Sequence, residues 1–188
     1  MARPRSEDKR NAIMDAATRV IVTHGLSAPT AMIAQEAGVA NGSLFTYFDT
    51  KADLFNQLYL ELKAGMASAI LKELPAETEL RDQLFHTWSN WMNWAISHPE
   101  KRRALAQLNV SDEITPANRA AAYKAMAGIG DLLEQSRAKG PMREVPMGFV
   151  VAMMSSLAET TVDFMIQDPP NADKHCKVGF DAVWRMVD

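Results

Sequence analysis

The sequence predicts an all-α protein of about nine helices. Three observations carry that reading. Apolar residues recur at the three- and four-residue spacing of a helix, glycines and prolines punctuate those runs, and no stretch alternates apolar and polar residues as a half-buried strand does. At 188 residues and 47% hydrophobic, the chain can bury one sizeable core with a small module appended. The expected division is residues 1–50 and 51–188.

The first helix runs from about Ser6 to His24, with Ile13, Ala16, Ala17, Val20 and Ile21 on one stripe and Gly25 as its stop. The next stretch, from Ile33 to Lys51, is the most informative. Ala34 and Ala37 are small enough to let two short helices cross closely, and Gly38 stands where the chain must turn, at a positive φ that glycine adopts without a Cβ penalty. Val39 and Leu44 fill the crevice, and Phe48 continues the core side. This is the pattern of a helix-turn-helix, whose second helix, Asn41 to Phe48 here, enters the major groove of DNA. One face of so short a helix has no room to bury both Phe45 and Tyr47 as well, so these two become candidates for DNA contact, with Ser43 and Thr46 beside them. Thr50 and Asp53 form a capping box for the next helix, and Lys51 at its N-terminus suits a phosphate. An ordinary helical hairpin inside a core is the other reading of the same small residues.

A fourth helix from Lys51 to about Leu74 ends at Pro75 and carries Leu54, Leu58, Leu62 and Met66 at helical spacing. A fifth spans about Thr78 to His98 before Pro99, and a short sixth Glu100 to about Val110. Thr115-Pro116 opens a seventh that closes near Gly140. Pro146 opens an eighth, ended by Pro169-Pro170, and the last runs from about Asp173 to the C-terminus.

The Ile33 to Lys51 segment resembles the TetR family of bacterial transcriptional regulators. The resemblance rests on Ile33-Ala34, Ala37-Gly38-Val39, Gly42, Phe45, Tyr47-Phe48 and Lys51, in the family's order. Within that family the chain is similar to the RamR branch of multidrug-responsive repressors, in its opening MARPRSEDKR, in Tyr59 and Lys63, and in the late LAETTVDF. It departs from the family in Ala40, where a serine usually caps the recognition helix, so that Asn41 is expected to take that duty. It also has Phe45 for the usual tyrosine and Pro29-Thr30 for the usual threonine pair. Together, motif and resemblance imply DNA contacts at Arg3, Arg5, Thr30, Asn41, Gly42, Ser43, Phe45, Thr46, Tyr47 and Lys51.

Charge is less helpful. The net charge is −3, and the basic and acidic residues of 1–54 cancel. A domain that coats DNA non-specifically is expected to be basic. Arg3, Arg5, Lys9 and Arg10 are nevertheless gathered ahead of the first helix, as an arm that lies along phosphates or as a solvated tail. One cysteine, Cys176, excludes an internal disulfide and reads as a small buried hydrophobe. The basic N-terminus has no apolar core of a signal sequence, and no run is expected to span a bilayer, which points to a soluble cytoplasmic protein.

The eighth helix is apolar on nearly every side, with Phe149, Met153, Leu157 and Phe164 on one stripe and Val150, Met154, Ala158, Val162 and Met165 on another. A helix apolar all round is buried all round. In so short a chain the second partner is most simply another copy. Phe180, Val183, Trp184 and Val187 in the last helix offer a stripe for the same contact. The resemblance implies a homodimer through a four-helix bundle, reading an inverted repeat with recognition helices about 34–36 Å apart or more.

A ligand cavity is expected between the ends. Phe85, Trp88, Trp91 and Met92 share a face of the fifth helix toward Tyr59, Leu62 and Met66, while Lys63, Ser89, Ser136, Ser155, Ser156 and Thr160 bring polar groups onto the same helices. With 12 methionines and 4 tryptophans, such a lining is soft and adaptable, although a dry packed core has the same composition. The expected effector contacts are Tyr59, Leu62, Lys63, Met66, Phe85, Trp88, Ser89, Trp91, Met92, Leu133, Ser136 and Met154. Lys63 suits an anion, whereas Glu159 and Asp163 suit a cation. The function expected is therefore a repressor released by a small hydrophobic or aromatic effector, the fourth helix linking its two sites. A helical sensor without DNA binding is the alternative. Enzyme chemistry finds little support, since the four histidines lack paired metal-ligand spacing and Gly128-Ile129-Gly130 lacks the strand and third glycine of a nucleotide fingerprint. No cofactor or metal is expected.

Overall fold

A computed structural model describes residues 6–75 and 77–188. Among the described residues the chain forms ten α-helices and one 3-10 turn, with no strand, and it divides into two compact units.

The first unit comprises residues up to Ala64 together with His98–Lys124. It holds α1 (Glu7–His24), α2 (Thr30–Glu36), α3 (Asn41–Tyr47), most of α4 (Lys51–Ile70), α6 (Pro99–Asn109) and nearly all of α7 (Pro116–Ala125). The expected stripe of α1 is buried and packs on α2 and α6, where Gln107 Nε2 donates to the Ile21 carbonyl at 3.0 Å. Gly25 at φ 78° ends α1, its amide closing on the Ile21 carbonyl at 2.9 Å. Ile13, Ile21, Ile33, Leu44, Phe48, Leu54 and Phe55 are essentially inaccessible to solvent. Each contributes about 1.5–3 kcal/mol of hydrophobic stabilisation. The capping box is present: the Asp53 amide donates to Thr50 Oγ1 at 3.0 Å, and Asp53 Oδ2 accepts from the Asp49 amide at 3.1 Å.

The second unit comprises Gly65–Ser97 and Ala125–Asp188. Here α5 (Leu80–Ser97) packs against α8 (Ala127–Arg137), α9 (Met147–Gln167) and α10 (Ala172–Val187), and a 3-10 turn, Pro169–Asn171, joins the last two. Gly179 lets α10 approach closely: a Cβ there would stand 2.3 Å from Thr161 Oγ1 and 3.0 Å from Trp88 Cζ2. Arg137 at the end of α8 is buried, and its Nη1 donates to the carbonyls of Met142, Arg143 and Val145, which holds the connection to α9.

Two boundaries and the reading of one helix's length differ from the sequence expectation. The expected seventh helix is two, α7 and α8, broken at Met126 (φ −94°, ψ 6°), just ahead of Gly128 and Gly130, which lower helix propensity. α4 stops at Ile70 instead of near Leu74, because Glu73 takes φ 55° before Pro75. Asn90 Nδ2 then caps the helix end, donating to the carbonyls of Ile70 at 3.1 Å and Lys72 at 3.0 Å. His86 Nε2 lies 2.8 Å from the same Lys72 carbonyl. Finally, α9 is long and apolar enough by length and composition to cross a bilayer, against the expectation that no run reaches that length. One of its sides, with Val150, Ala158, Val162 and Met165, is buried within this unit.

Candidate nucleic-acid interface and effector residues

The turn between α2 and α3 is built as the sequence suggests. Ile33 and Ala34 are buried, Gly38 adopts φ 67°, and the amides of Gly38 and Val39 donate to the carbonyls of Gln35 (3.1 Å) and Ala34 (2.9 Å). Leu44 and Phe48 are both at 0% exposure and anchor α3, which fixes the direction of its other face. That face presents Asn41, Gly42, Phe45 and Thr46 to solvent, with Ser43 and Tyr47 partly covered. Phe45 is 43% exposed, a large apolar ring with little of the unit around it. Asn41 does not cap α3. Ala40 is the N-cap, no side chain bonds there, and Asn41 is already the first helical residue. Thr30 holds the equivalent first position of α2 and is partly buried. Arg3 and Arg5 lie outside the described residues.

A side-chain network braces this arrangement from behind. Arg10 of α1 lies 5.8 Å over the Phe48 ring, donates to Glu61 at 3.1 Å and to Gln57 at 3.2 Å, and Gln57 in turn donates to the Asp53 carboxylate at 3.0 Å. Tyr47 is tied as well, its hydroxyl accepting from the Ser6 amide at 3.3 Å. Lys51 opens α4 with its ammonium 5.3 Å over the Phe55 ring. Of the two aromatic candidates, Phe45 is thus the exposed one, whereas Tyr47 is partly covered and also fastens the start of α1.

The expected effector residues are shared between the two units. Tyr59, Leu62 and Lys63 belong to the first unit. Tyr59 and Leu62 are buried, and Lys63 is largely buried with its Nζ 5.6 Å over the Tyr59 ring. Burial pushes the Lys63 ammonium below its ordinary pKa, and the charge of Arg119 on α7 pushes it the same way. Burial raises the Tyr59 phenol, with Arg119 opposing. Arg119 was missing from the sequence reading; its only cue was its place one turn after the Thr115 cap.

In the second unit, Phe85 and Trp88 join residues expected at the dimer contact. The Phe85 ring lies 4.9 Å from Phe180 at a tilt of 60°, Trp88 lies 6.4 Å from Phe180, and Trp184 stacks on it at 6.4 Å, with Arg81 5.3 Å over Phe180. Trp88 Nε1 donates to the Cys176 carbonyl at 3.0 Å. Met92 is inaccessible, and Met66 is buried; Ser89 and Trp91 are partly covered, with Ser89 Oγ 4.0 Å from Cys176 Sγ. Leu133 and Met154 pack round Val150 and Val187. Ser136 donates to its own helix at Leu132, so its buried hydroxyl needs no ligand.

The dimer stripe divides accordingly. Phe180, Val183 and Val187 are buried in the chain's own second unit, where α10 packs on α9 and α5. Trp184 is partly covered by the same cluster. On α9, Phe149 and Phe164 remain more than half exposed, with Met153 and Leu157 partly covered. Between them Ser156 and Thr160 donate their hydroxyls back to the carbonyls of Ala152 and Ser156, each at 3.0 Å.

The comparisons with known proteins fit this geometry. Residues 13–58 match the family described as bacterial regulatory proteins, tetR family, over α1 to the first half of α4. A tetR family transcription regulator from Shewanella sp. PV-4 is similar at 26% identity, covering 96% of this chain and 97% of its own, with a TM-score of 0.83. One from Marinobacter aquaeolei VT8 is 22% identical over 96% of each chain, also at 0.83. The TetR-like regulator LfrR from Mycobacterium smegmatis, solved in complex with proflavine, is 18% identical over 94% of this chain and 95% of its own, at 0.68. Residues 13–58 thus match the family of bacterial regulatory proteins, tetR family, and the chain as a whole has an all-helical fold similar to that of the tetR family transcription regulator from Shewanella.

Proposed function

We propose that the chain is a transcriptional repressor that binds an inverted-repeat operator as a homodimer and is released by a small hydrophobic or aromatic effector. The observation that carries this reading is α3 itself. Its core side is fully buried at Leu44 and Phe48, while the opposite side exposes Asn41, Gly42, Phe45 and Thr46. A seven-residue helix held this firmly, with an aromatic ring left in solvent, is suited to insertion in a groove. On this reading residues 1–50 read DNA, residues 51–188 sense and dimerise, and the protein works in the cytoplasm. Arg3, Arg5, Thr30 and Lys51 belong to the same set of DNA-contacting residues on this reading.

The partner copy is assigned to the exposed stripe of α9. Phe149 and Phe164 supply apolar area, and the hydroxyls of Ser156 and Thr160 are already satisfied by their own helix, so covering them costs little. An effector is supported by the resemblance to multidrug-responsive repressors of the RamR type and by the proflavine complex of the LfrR fold relative. It acts by binding better to the conformation that does not fit the operator. α4 is the transmitter of choice, since one continuous helix carries Leu54 and Phe55 beside the reading motif and Tyr59 and Lys63 further along.

The test is a gel shift on the DNA flanking the gene, with and without candidate compounds. Phe45→Ala is the sharper variant, because Tyr47→Ala also frees the start of α1. Phe45→Ala is expected to lose operator binding while keeping thermal stability and compound binding. Unchanged operator binding in that variant, or none in the wild type, would favour a helical sensor that does not touch DNA. Affinity should fall steeply with added salt if several phosphates are contacted.

A further inference from the structure

The three strongest features outside the reading helix are the exposed stripe of α9, the aromatic cluster of the second unit, and the cations around Tyr59. The first is already assigned to the partner copy and the second is packed core. The third goes further. We infer that the effector is an anion, held between Lys63 on α4 and Arg119 on α7, within the first unit.

Asn56 seats α7 on α4, and the charge of Arg119 is felt at Lys63. The Asn56 Oδ1 accepts from the Thr115 amide at 2.9 Å and from Asn118 Nδ2 at 2.7 Å, which sets the first turn of α7 across α4 at that point. Arg119 is the next residue. Tyr59 and Lys63 follow Asn56 at i+3 and i+7, on the same face of α4. The Arg119 guanidinium is oriented by Nη1 on the Asn109 carbonyl at 2.7 Å and Nη2 on the Ser111 carbonyl at 2.8 Å. A guanidinium has five N–H donors, so these two bonds leave others for a ligand.

What the cations lack is a carboxylate. Among the described residues neither Lys63 nor Arg119 is in an ion pair, although both stand in a chain rich in acids. α7 contains no acidic residue. Glu61, the nearest acid along α4, is bonded to Arg10, and the Glu113 side chain is exposed while only its backbone carbonyl turns inward to Asn56. Keeping a largely buried ammonium beside a guanidinium with no counter-charge disfavours the empty protein and favours any ligand that brings a negative charge. The buried Tyr59 and Leu62 next to Lys63 add apolar surface, so the class is an amphiphilic carboxylate or similar anion rather than a cationic dye. Such a ligand would also act on the reading module, because Arg119 grips the end of α6, which packs on α1 through Gln107 and Ile21.

This inference rests on the effector-responsive reading above, and calorimetry on the full chain without DNA separates the two. Octanoate is compared with octylamine and octanol, in the wild type, Lys63→Met and Lys63→Arg. Octanoate should bind more tightly than either counterpart, weaken by about tenfold in Lys63→Met, and recover in Lys63→Arg. Equal or tighter binding of octylamine, no binding of octanoate, or an unchanged affinity in Lys63→Met overturns the anion assignment while leaving operator binding untouched. Octanoate binding in a protein that shows no operator shift would instead sink the regulator reading and keep the anion site.

Discussion

The side-chain amide of Asn56 donates to the Glu113 carbonyl at 2.7 Å, while its oxygen accepts from the Thr115 amide and from Asn118. A second donor bond at 2.7 Å runs to Ala52 in its own helix. Every hydrogen-bonding position of this buried amide is thereby used, and the connection between α6 and α7 depends on it. Asn56→Leu keeps the branched shape but strands the Thr115 amide and the Glu113 carbonyl. Denaturant unfolding should show a loss of about 1–3 kcal/mol. A variant as stable as wild type would mean that water replaces the amide there.

Gly179 is required by space. Its Cβ would meet Thr161 Oγ1 at 2.3 Å and Cγ2 at 3.0 Å. Gly179→Ala should destabilise by about 1–3 kcal/mol through overpacking. Thr161→Ala removes two of the three contacting atoms, leaving Trp88 Cζ2 at 3.0 Å, so the double variant should recover part of the loss, and a thermal-melt cycle that came out additive would refute the contact with Thr161.

Lys63 makes stability depend on alkaline pH. Its folded-state pKa is held below the ordinary 10.5 by burial and by Arg119. Between that lowered value and 10.5 the unfolded chain binds more protons than the folded one, so stability rises with pH in this window, and below it the cost of the buried charge is fully present. Tyr59 works oppositely: its pKa is raised above 10.0 by burial, so the folded chain keeps its proton longer and stability falls as pH climbs past 10.0. Melting temperature followed from neutral to alkaline pH should rise and then fall. Lys63→Met should melt higher at neutral pH and lack the rise; Tyr59→Phe should soften the fall.

The exposed and buried aromatics of the last helices should respond differently. Phe149→Glu and Phe164→Glu change outward side chains, and each is expected to convert dimer to monomer in light scattering with about 0.5 kcal/mol or less lost from the fold. Phe180→Ala empties a site between Phe85, Trp88 and Trp184 and should cost about 3–5 kcal/mol. A Phe149→Glu protein that remained dimeric would move the interface elsewhere.

The reading helix was legible because its signals are local: the small residues before Gly38, the Thr50 and Asp53 cap and the burial of Leu44 and Phe48 all depend on neighbours within a few turns. What stayed hidden depends on which helix packs on which. A stripe such as Phe180, Val183 and Val187 announces that a face is covered, and nothing in its spacing says whether the cover is the same chain or another. Likewise Ser136, Ser156 and Thr160 look like unsatisfied polar groups until their bonds to the preceding turn are seen. Arg119 could not be paired with Lys63 without knowing that α7 crosses α4 at Asn56. The break at Met126 was obscured because the alanines before it and the leucines after it both favour helix.

Gly38 differs from Gly179 in what it forbids. A Cβ at Gly38 meets nothing within 4 Å, yet the backbone stands at φ 67°. The turn between the two short helices is thus restricted by handedness alone. A D-alanine placed there by chemical synthesis should be accepted, and even stiffen the turn, while the natural L-alanine is penalised. The reading helix is aimed by the chirality of one α-carbon.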